Sequence, residues 1–194
     1  MSRTGRRPGS PDTRAAIIEA ARRAFATKGY QAATFRAIAE DAGVDPGLIT
    51  HYFGTKDGLF AAALELPVRP SEVFAGLGTL TPPEAVQLLV GIYLSLLDDA
   101  ETRNPLLGLI RSAVAQEDAA RMVREFLTEE ILAPIAATTD LPDAQLRASL
   151  VAAQLVGIAM VRYVVGVEAL AAADTSELIP LVANVVEQYL IRPA

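Results

Sequence analysis

The side chains able to hold an anion or read a polar edge crowd into one stretch, Thr34 to Lys56. Thr34 stands at a helix start, where free backbone N–H groups suit a phosphate oxygen. Arg36 follows and can reach a guanine edge or a phosphate. Asp45, Pro46, Gly47, Leu48, Thr50, His51 and Tyr52 form a second group, and Lys56 closes the stretch as a point charge for phosphate. Leu48 or Thr50 could meet a thymine methyl, an apolar readout. Core packing is the alternative for Tyr52, and a solvent-facing ring the alternative for His51. This is recognition chemistry, not bond-making chemistry. The chain has no cysteine and one histidine, so thiolate nucleophiles, disulfides and multi-histidine metal sites within one chain are excluded. It shows no phosphate-binding glycine loop and no paired-carboxylate motif. No catalytic residue, metal or cofactor is therefore expected.

Two short helices and a tight turn must position these groups. Thr34 can cap the first, with Phe35, Ile38, Ala39 and Ala42 on one face at helical spacing. Gly43 can take the left-handed conformation that ends a helix. Val44 is placed to plug the angle between the helices. Asp45 offers the second cap, and Pro46 sits at the first helical position, where a missing N–H does no harm. Leu48, Ile49, Tyr52 and Phe53 supply apolar residues, Gly54 stops the helix, and Thr55 caps the next. Helix, glycine turn, helix is the unit of many DNA readers, whose second helix enters the major groove. Short helical hairpins of purely structural purpose share the same geometry.

The longer string is more specific. An amphipathic first helix ending AFATKGY, then TFRAIAEDAGV, HYF at 51–53 and TKDGLF at 55–60, together resemble the N-terminal domain of TetR-family transcriptional repressors. The resemblance covers Thr13 to Leu64. It implies an all-α homodimer: an N-terminal three-helix helix-turn-helix domain for DNA and a larger C-terminal helical domain for ligand binding and dimerisation. It also implies that Gly47 permits close backbone approach and that His51 and Tyr52 touch the DNA backbone. The recognition helix departs from the family pattern at Pro46, Leu48 and Thr50, which puts the operator sequence and the usual contacts at those positions in doubt.

Charge distribution agrees. The net charge of −6 hides a split: residues 1–56 hold nine basic and five acidic residues, the remainder eight and eighteen. A basic end on an acidic body suits a DNA reader with a separate effector domain. The expected organisation is a flexible basic arm over 1–11, a DNA-binding domain over 12–66 with its motif at 34–53, and a ligand-binding and dimerisation domain over 67–194. In the arm, Arg3, Arg6 and Arg7 either follow phosphates and the minor groove or belong to a solvated tail. The first residues lack the apolar core of a signal peptide. The longest apolar run, Leu150 to Leu170, is interrupted by Gln154, Arg162 and Glu168, and reads as a buried helix, not a membrane span. A cytoplasmic protein without membrane contact is expected.

Periodicity places the other helices. The first runs from Asp12 or Thr13 to Gly29, with Tyr30 against the helix-turn-helix. A fourth runs from about Lys56 to Leu66, ended by Pro67 and Pro70; the resemblance makes it the link between domains. A short element over 71–77 breaks at Gly76 and Gly78. Thr81, Pro82 and Glu84 open a helix to about Asp99. Asn104–Pro105 marks another start, and a helix from Glu117 meets Pro134, which should kink or end it. The last two span about 143–167 and 177–191. These two apolar helices need cover, which a second copy would supply as a four-helix interface about a two-fold axis; interior packing within one subunit is the alternative.

Polar residues among apolar ones mark a possible pocket for a small hydrophobic effector: Tyr93, Asn104, Arg111, Gln116, Gln154, Arg162 and Tyr163, with Met122 and Phe126 beside them. Arg162 needs a partner if buried, either an acidic ligand or a carboxylate from Glu168, Glu187 or the other subunit. The function expected is a homodimeric repressor on a palindromic duplex operator, released by that effector. The alternative is a protein-interaction module whose DNA binding has degraded.

Overall fold

Short-range signals decide where the helices begin and end. The computed structural model describes residues 11–77 and 80–191, so Arg3, Arg6, Arg7 and the expected break at Gly78 lie outside the described residues. The described chain is all helix and turn: α1 (Pro11–Ala32), α2 (Phe35–Ala42), α3 (Pro46–Phe53), α4 (Lys56–Ala63), α5 (Pro70–Ala75), α6 (Pro82–Asp98), α7 (Ala100–Ala115), α8 (Glu117–Phe126), α9 (Ala133–Ala136), α10 (Ala144–Met160), α11 (Glu168–Ala171) and α12 (Thr175–Leu190). Two π-helical turns are spliced in, Leu127–Leu132 between α8 and α9 and Val161–Val165 after α10.

Gly29 breaks α1 at φ 82° and ψ 175°, a region open essentially to glycine, and a short turn carries the helix on to Ala32. Tyr30 is fully buried in the cluster it shares with Ile38, Ile49 and Phe53 of the helix-turn-helix, and its ring meets Phe60 of α4 and Phe126 of α8 at 5.0 and 5.4 Å. Thr81, Pro82 and Glu84 open α6 as expected, Thr81 and Glu84 forming a capping box.

Three boundaries differ from expectation. α4 stops at Ala63 instead of Leu66 because Arg22 Nε donates to the Ala63 carbonyl at 2.6 Å and Glu65 turns at φ 57°. α7 begins at Ala100, not at Asn104–Pro105. Asp99 accepts from the Glu101 N–H, while Thr102 and Arg103 donate to the last carbonyls of α6, so Pro105 sits inside the helix. Pro134 does not end its helix: the π-turn before it continues directly into α9, with Pro134 at that helix's first turn.

Two apolar clusters organise the packing. The first joins α1–α4 with Met122, Val123 and Phe126 of α8. The second lies among α6, α9, α10 and α12, around Val90, Val151 and Val186. Ile131 packs against both. Reading the long apolar helix as buried needs correction. Ala144–Val165 is long and apolar enough by length and composition to cross a membrane, yet only 28 % of its most apolar window is buried within the chain. Leu146, Leu150, Val161, Val164 and Val165 all face outward.

Candidate nucleic-acid interface

The helix-turn-helix is built by its caps. Thr34 Oγ1 accepts from the Ala37 N–H at 3.2 Å, which starts α2. Gly43, at φ 66°, donates its N–H to the Glu40 carbonyl, and the Val44 N–H reaches the Ala39 carbonyl at 3.0 Å. Those two bonds close α2 and turn the chain, with Val44 packed against the first cluster. Asp45 Oδ1 accepts from the Gly47 N–H at 2.7 Å and Pro46 opens α3. Ile49 and Phe53 then point inward and are fully buried. The opposite face, Asp45, Pro46, Gly47, Thr50 and His51, is exposed, and Arg36 is exposed on α2.

Other residues of the expected set sit differently. Leu48 is half-buried against the first cluster, leaving the Thr50 methyl as the outward apolar group. Tyr52 also packs against that cluster, and its hydroxyl is buried without a hydrogen-bond partner. Lys56 is half-buried: its Nζ donates to the Gln31 carbonyl at 2.9 Å and stands 4.8 Å from the centre of the Tyr30 ring. Burial holds its ammonium below the usual lysine range, opposed by Glu129, Glu130 and Glu125.

Asp57, one residue on, carried no signal in the sequence, yet it fixes the base of the motif. It is 3 % exposed and accepts from the Thr55 hydroxyl, from the Ser71 hydroxyl at 2.6 Å and from the Ser71 N–H. Ser71 lies in α5, so Asp57 ties the chain beyond α4 back onto the start of α4. Burial pushes the carboxyl up, but the Ser71 and Thr55 hydroxyls and the backbone N–H groups of Ser71 and Gly58 outweigh it and leave it below the usual range. A depressed carboxylate stabilises the fold above its unfolded value of about 3.9 and loses that contribution as pH falls through the folded value. Asp57→Asn is therefore expected to cost about 1–3 kcal/mol at neutral pH. The gap from wild type should close only below about pH 4, which urea unfolding across pH would show.

The candidates for a ligand pocket fall in several places, and none of them lines the cavity of about 270 Å³ that opens beside α6. Met122 and Phe126 belong to the first core. That follows from amphipathicity: they lie on the one apolar face of α8, and this face packs on α1. Asn104, Arg111 and Gln116 are exposed on or just after α7, and Gln154 is half-buried on α10. Tyr93 and Tyr163 meet in a small third cluster with Leu97, Leu107 and Ala159. Burial pushes the Tyr93 hydroxyl well up. Arg162 is 8 % exposed and carried by the second π-turn. Its Nη2 donates to the Ala173 carbonyl at 2.9 Å and stands 3.4 Å from Asp98 Oδ1, while Nε and Nη1 have no hydrogen-bond partner. Its carboxylate is thus Asp98, which also accepts from Tyr163 and Thr175, and not Glu168 or Glu187.

The cavity beside α6 is walled by Leu77, Pro82, Ala85, Leu89, Ile135 and Leu190 among others. Periodicity alone gives no sign of it, because it lies where several helix ends converge.

Comparison with known proteins matches this architecture. Residues 17–63 match the model of the bacterial regulatory proteins of the tetR family, and residues 84–190 match the tetracyclin repressor-like C-terminal domain. The HTH-type transcriptional repressor AcnR of Corynebacterium glutamicum is 38 % identical over 91 residues, 46 % of this chain and 43 % of that protein. The HTH-type transcriptional regulator BetI of Rhizobium meliloti is 36 % identical over 85 residues, 42 % of each chain. The chain thus spans less than half the length of these two relatives. A crystal structure of a TetR-family regulator from Streptomyces coelicolor is 37 % identical, covering 95 % of this chain and 98 % of that one, with a TM-score of 0.48. With one family model on the helix-turn-helix and the other over more than half of its length, the chain belongs to the tetR family, whose members are transcriptional regulators and not enzymes.

Proposed function

We propose that the protein is a homodimeric repressor whose two α3 helices read a palindromic duplex operator, and that a small hydrophobic molecule releases it. The observation that carries this reading is the exposed face of α3. Pro46, Gly47, Thr50 and His51 stand outward on a rigid, doubly capped helix, with Arg36 beside them on α2. The organisation proposed is a DNA-binding unit over 12–66 preceded by a basic arm, and an effector and dimerisation unit over 67–194, acting in the cytoplasm.

The dimer is supported by the outward row of α10 and the turn that follows. Leu146, Leu150, Ala153, Gly157, Val161 and Val164 recur every three or four residues, all exposed, and Leu181 of α12 is 66 % exposed. An apolar stripe of that length on a water-facing helix calls for cover. The effector is supported by the cavity between α5, α6, α9 and α12, whose wall is apolar except for Thr138. An uncharged hydrophobic ligand fits that lining.

Selection from a random duplex library at fixed salt tests the reading, and a palindromic consensus is the expected result. On the selected duplex, Arg36→Ala should weaken binding about tenfold and reduce the slope of log affinity against log salt by about one. Affinity indifferent to Arg36→Ala, or no enriched sequence from folded dimer, would move the weight to a protein-interaction role.

A further inference from the structure

The reading helix ends beside an arginine that lies outside both stretches matching the family. Thr50 and Gly54 stand one turn apart on the outward face of α3, and Gly54 closes the helix at φ 71°. A Cβ on Gly54 would lie 4.0 Å from Arg69 Nη1. Gly58, in the first turn of α4, completes the corner. A Cβ there would collide with the Phe53 carbonyl oxygen and stand 3.3 Å from Arg69 Nε. The missing side chain lets α4 close on the end of α3 and leaves the guanidinium its place there. Arg14, also outside the matched stretches, reaches the same end from α1, its guanidinium 5.4 Å from the centre of the Phe53 ring.

The backbone that carries Arg69 is held on both sides. Its carbonyl accepts from the Glu72 and Val73 N–H groups at 3.1 and 3.3 Å and so starts α5. Pro70 is buried, and the Ser71 N–H and hydroxyl are fixed by Asp57. The side chain is freer. It is 39 % exposed, and it pairs with Glu72, whose Oε1 is 3.4 Å from Nη1 and whose side chain is 68 % exposed. So open a pair contributes little to folding and is readily exchanged. A helix of eight residues is about 12 Å long, and the major groove is about 12 Å wide. When the middle of α3 reads base edges, its end therefore meets the sugar–phosphate strand that walls the groove. A firmly mounted guanidinium at that end, with a carboxylate it can leave, is suited to one phosphate. The competing role is to balance the negative end of the α3 dipole, which would show in stability and not in DNA affinity.

We propose that Arg69 holds a backbone phosphate at the edge of the half-site, and that Glu72 competes for it and so sets the strength of the grip. The proposal rests on α3 reading duplex DNA, as above. It does not rest on the operator being a palindrome, since a phosphate contact is blind to sequence.

The test is binding of the full chain, as salt is varied, to the selected duplex and to an unselected duplex of equal length. Arg69→Ala should weaken both about tenfold, the scale of one hydrogen bond to a charged group. It should also lower the slope of log affinity against log salt by about one for each subunit bound. Arg69→Lys should restore the slope and part of the affinity. Glu72→Gln should tighten binding about threefold, but less than about 1.5-fold where Arg69 is already alanine. On the selected duplex, phosphates are then replaced one at a time by neutral methylphosphonate. A replacement at the edge of each half-site should weaken the wild-type protein and leave Arg69→Ala indifferent. An Arg69→Ala protein with the affinity and salt slope of wild type overturns the proposal, as does a Glu72→Gln gain that survives without Arg69. A lowered urea midpoint with an unaltered salt slope assigns Arg69 to the α3 dipole and also overturns it. A failed selection with the unselected duplex still bound removes the palindrome alone. Folded protein that binds neither duplex removes both readings.

Discussion

Phe126→Ala is expected to destabilise the protein by about 3–5 kcal/mol, a large share of a typical domain's total. The side chain is 4 % exposed, stacked on Phe60 and edge-on to Tyr30. Truncation removes the transfer free energy of the ring and leaves a hole flanked by two other rings, which cannot close without moving α8 off α1. The midpoint of urea unfolding should fall with an unchanged slope, and the Tyr30 hydroxyl should lose its fixed contact with Glu130. A cost below about 1 kcal/mol would mean that Phe126 is not a core residue. A loss confined to effector response, with stability intact, would return it to a pocket.

Gly157→Arg is expected to leave each subunit folded and to abolish the dimer. A Cβ at Gly157 would meet nothing within 4 Å, so the change disturbs no packing inside the chain. Arginine also favours a helix over glycine by roughly 0.7 kcal/mol, which should raise the stability of the isolated subunit slightly. On the proposed two-fold interface, however, two guanidinium groups would be driven into the middle of an apolar stripe. The mass in light scattering should halve at unchanged helicity. Affinity for a palindromic duplex should fall at least about a thousandfold, toward the level of non-specific binding. A folded dimer of unaltered affinity would place the interface elsewhere, and Leu181→Arg would then locate it on or off α12.

Local structure was legible to the degree that its cause is local. Thr34, Gly43, Asp45 with Pro46, Gly54, and Thr81 with Glu84 act within four residues of themselves, and each ends or starts a helix as expected. The misplaced boundaries have causes outside their own segment. The end of α4 depends on Arg22, forty-one residues earlier, and the start of α7 depends on carbonyls offered by α6. The same holds for the site. The outward residues of α3 follow from its period, once Ile49 and Phe53 are assigned inward. The buried carboxylate of Asp57 does not, because its partner Ser71 belongs to a different helix. Periodicity showed that Met122 and Phe126 share a face. It could not say that the face meets α1 instead of a ligand. In α10 it showed apolar residues on most sides, but it could not say which of them one chain leaves uncovered, as it does Leu146, Leu150 and Val161.

The shared ownership of α8 sets a limit on how such a protein can be taken apart. A fragment ending near residue 66 would retain every residue of the helix-turn-helix and still lack the side chains that cover Tyr30 and Phe60. It should be loosely packed and prone to associate through the uncovered rings. The first cluster is not a self-sufficient module. A chimera that grafts this reading head onto another regulator's body must bring along Met122, Val123, Phe126, Glu125 and Glu130, or find their equivalents in the new host. Exchange of the reading head between such regulators would be constrained by the surface of α8 as much as by the contacts of α3.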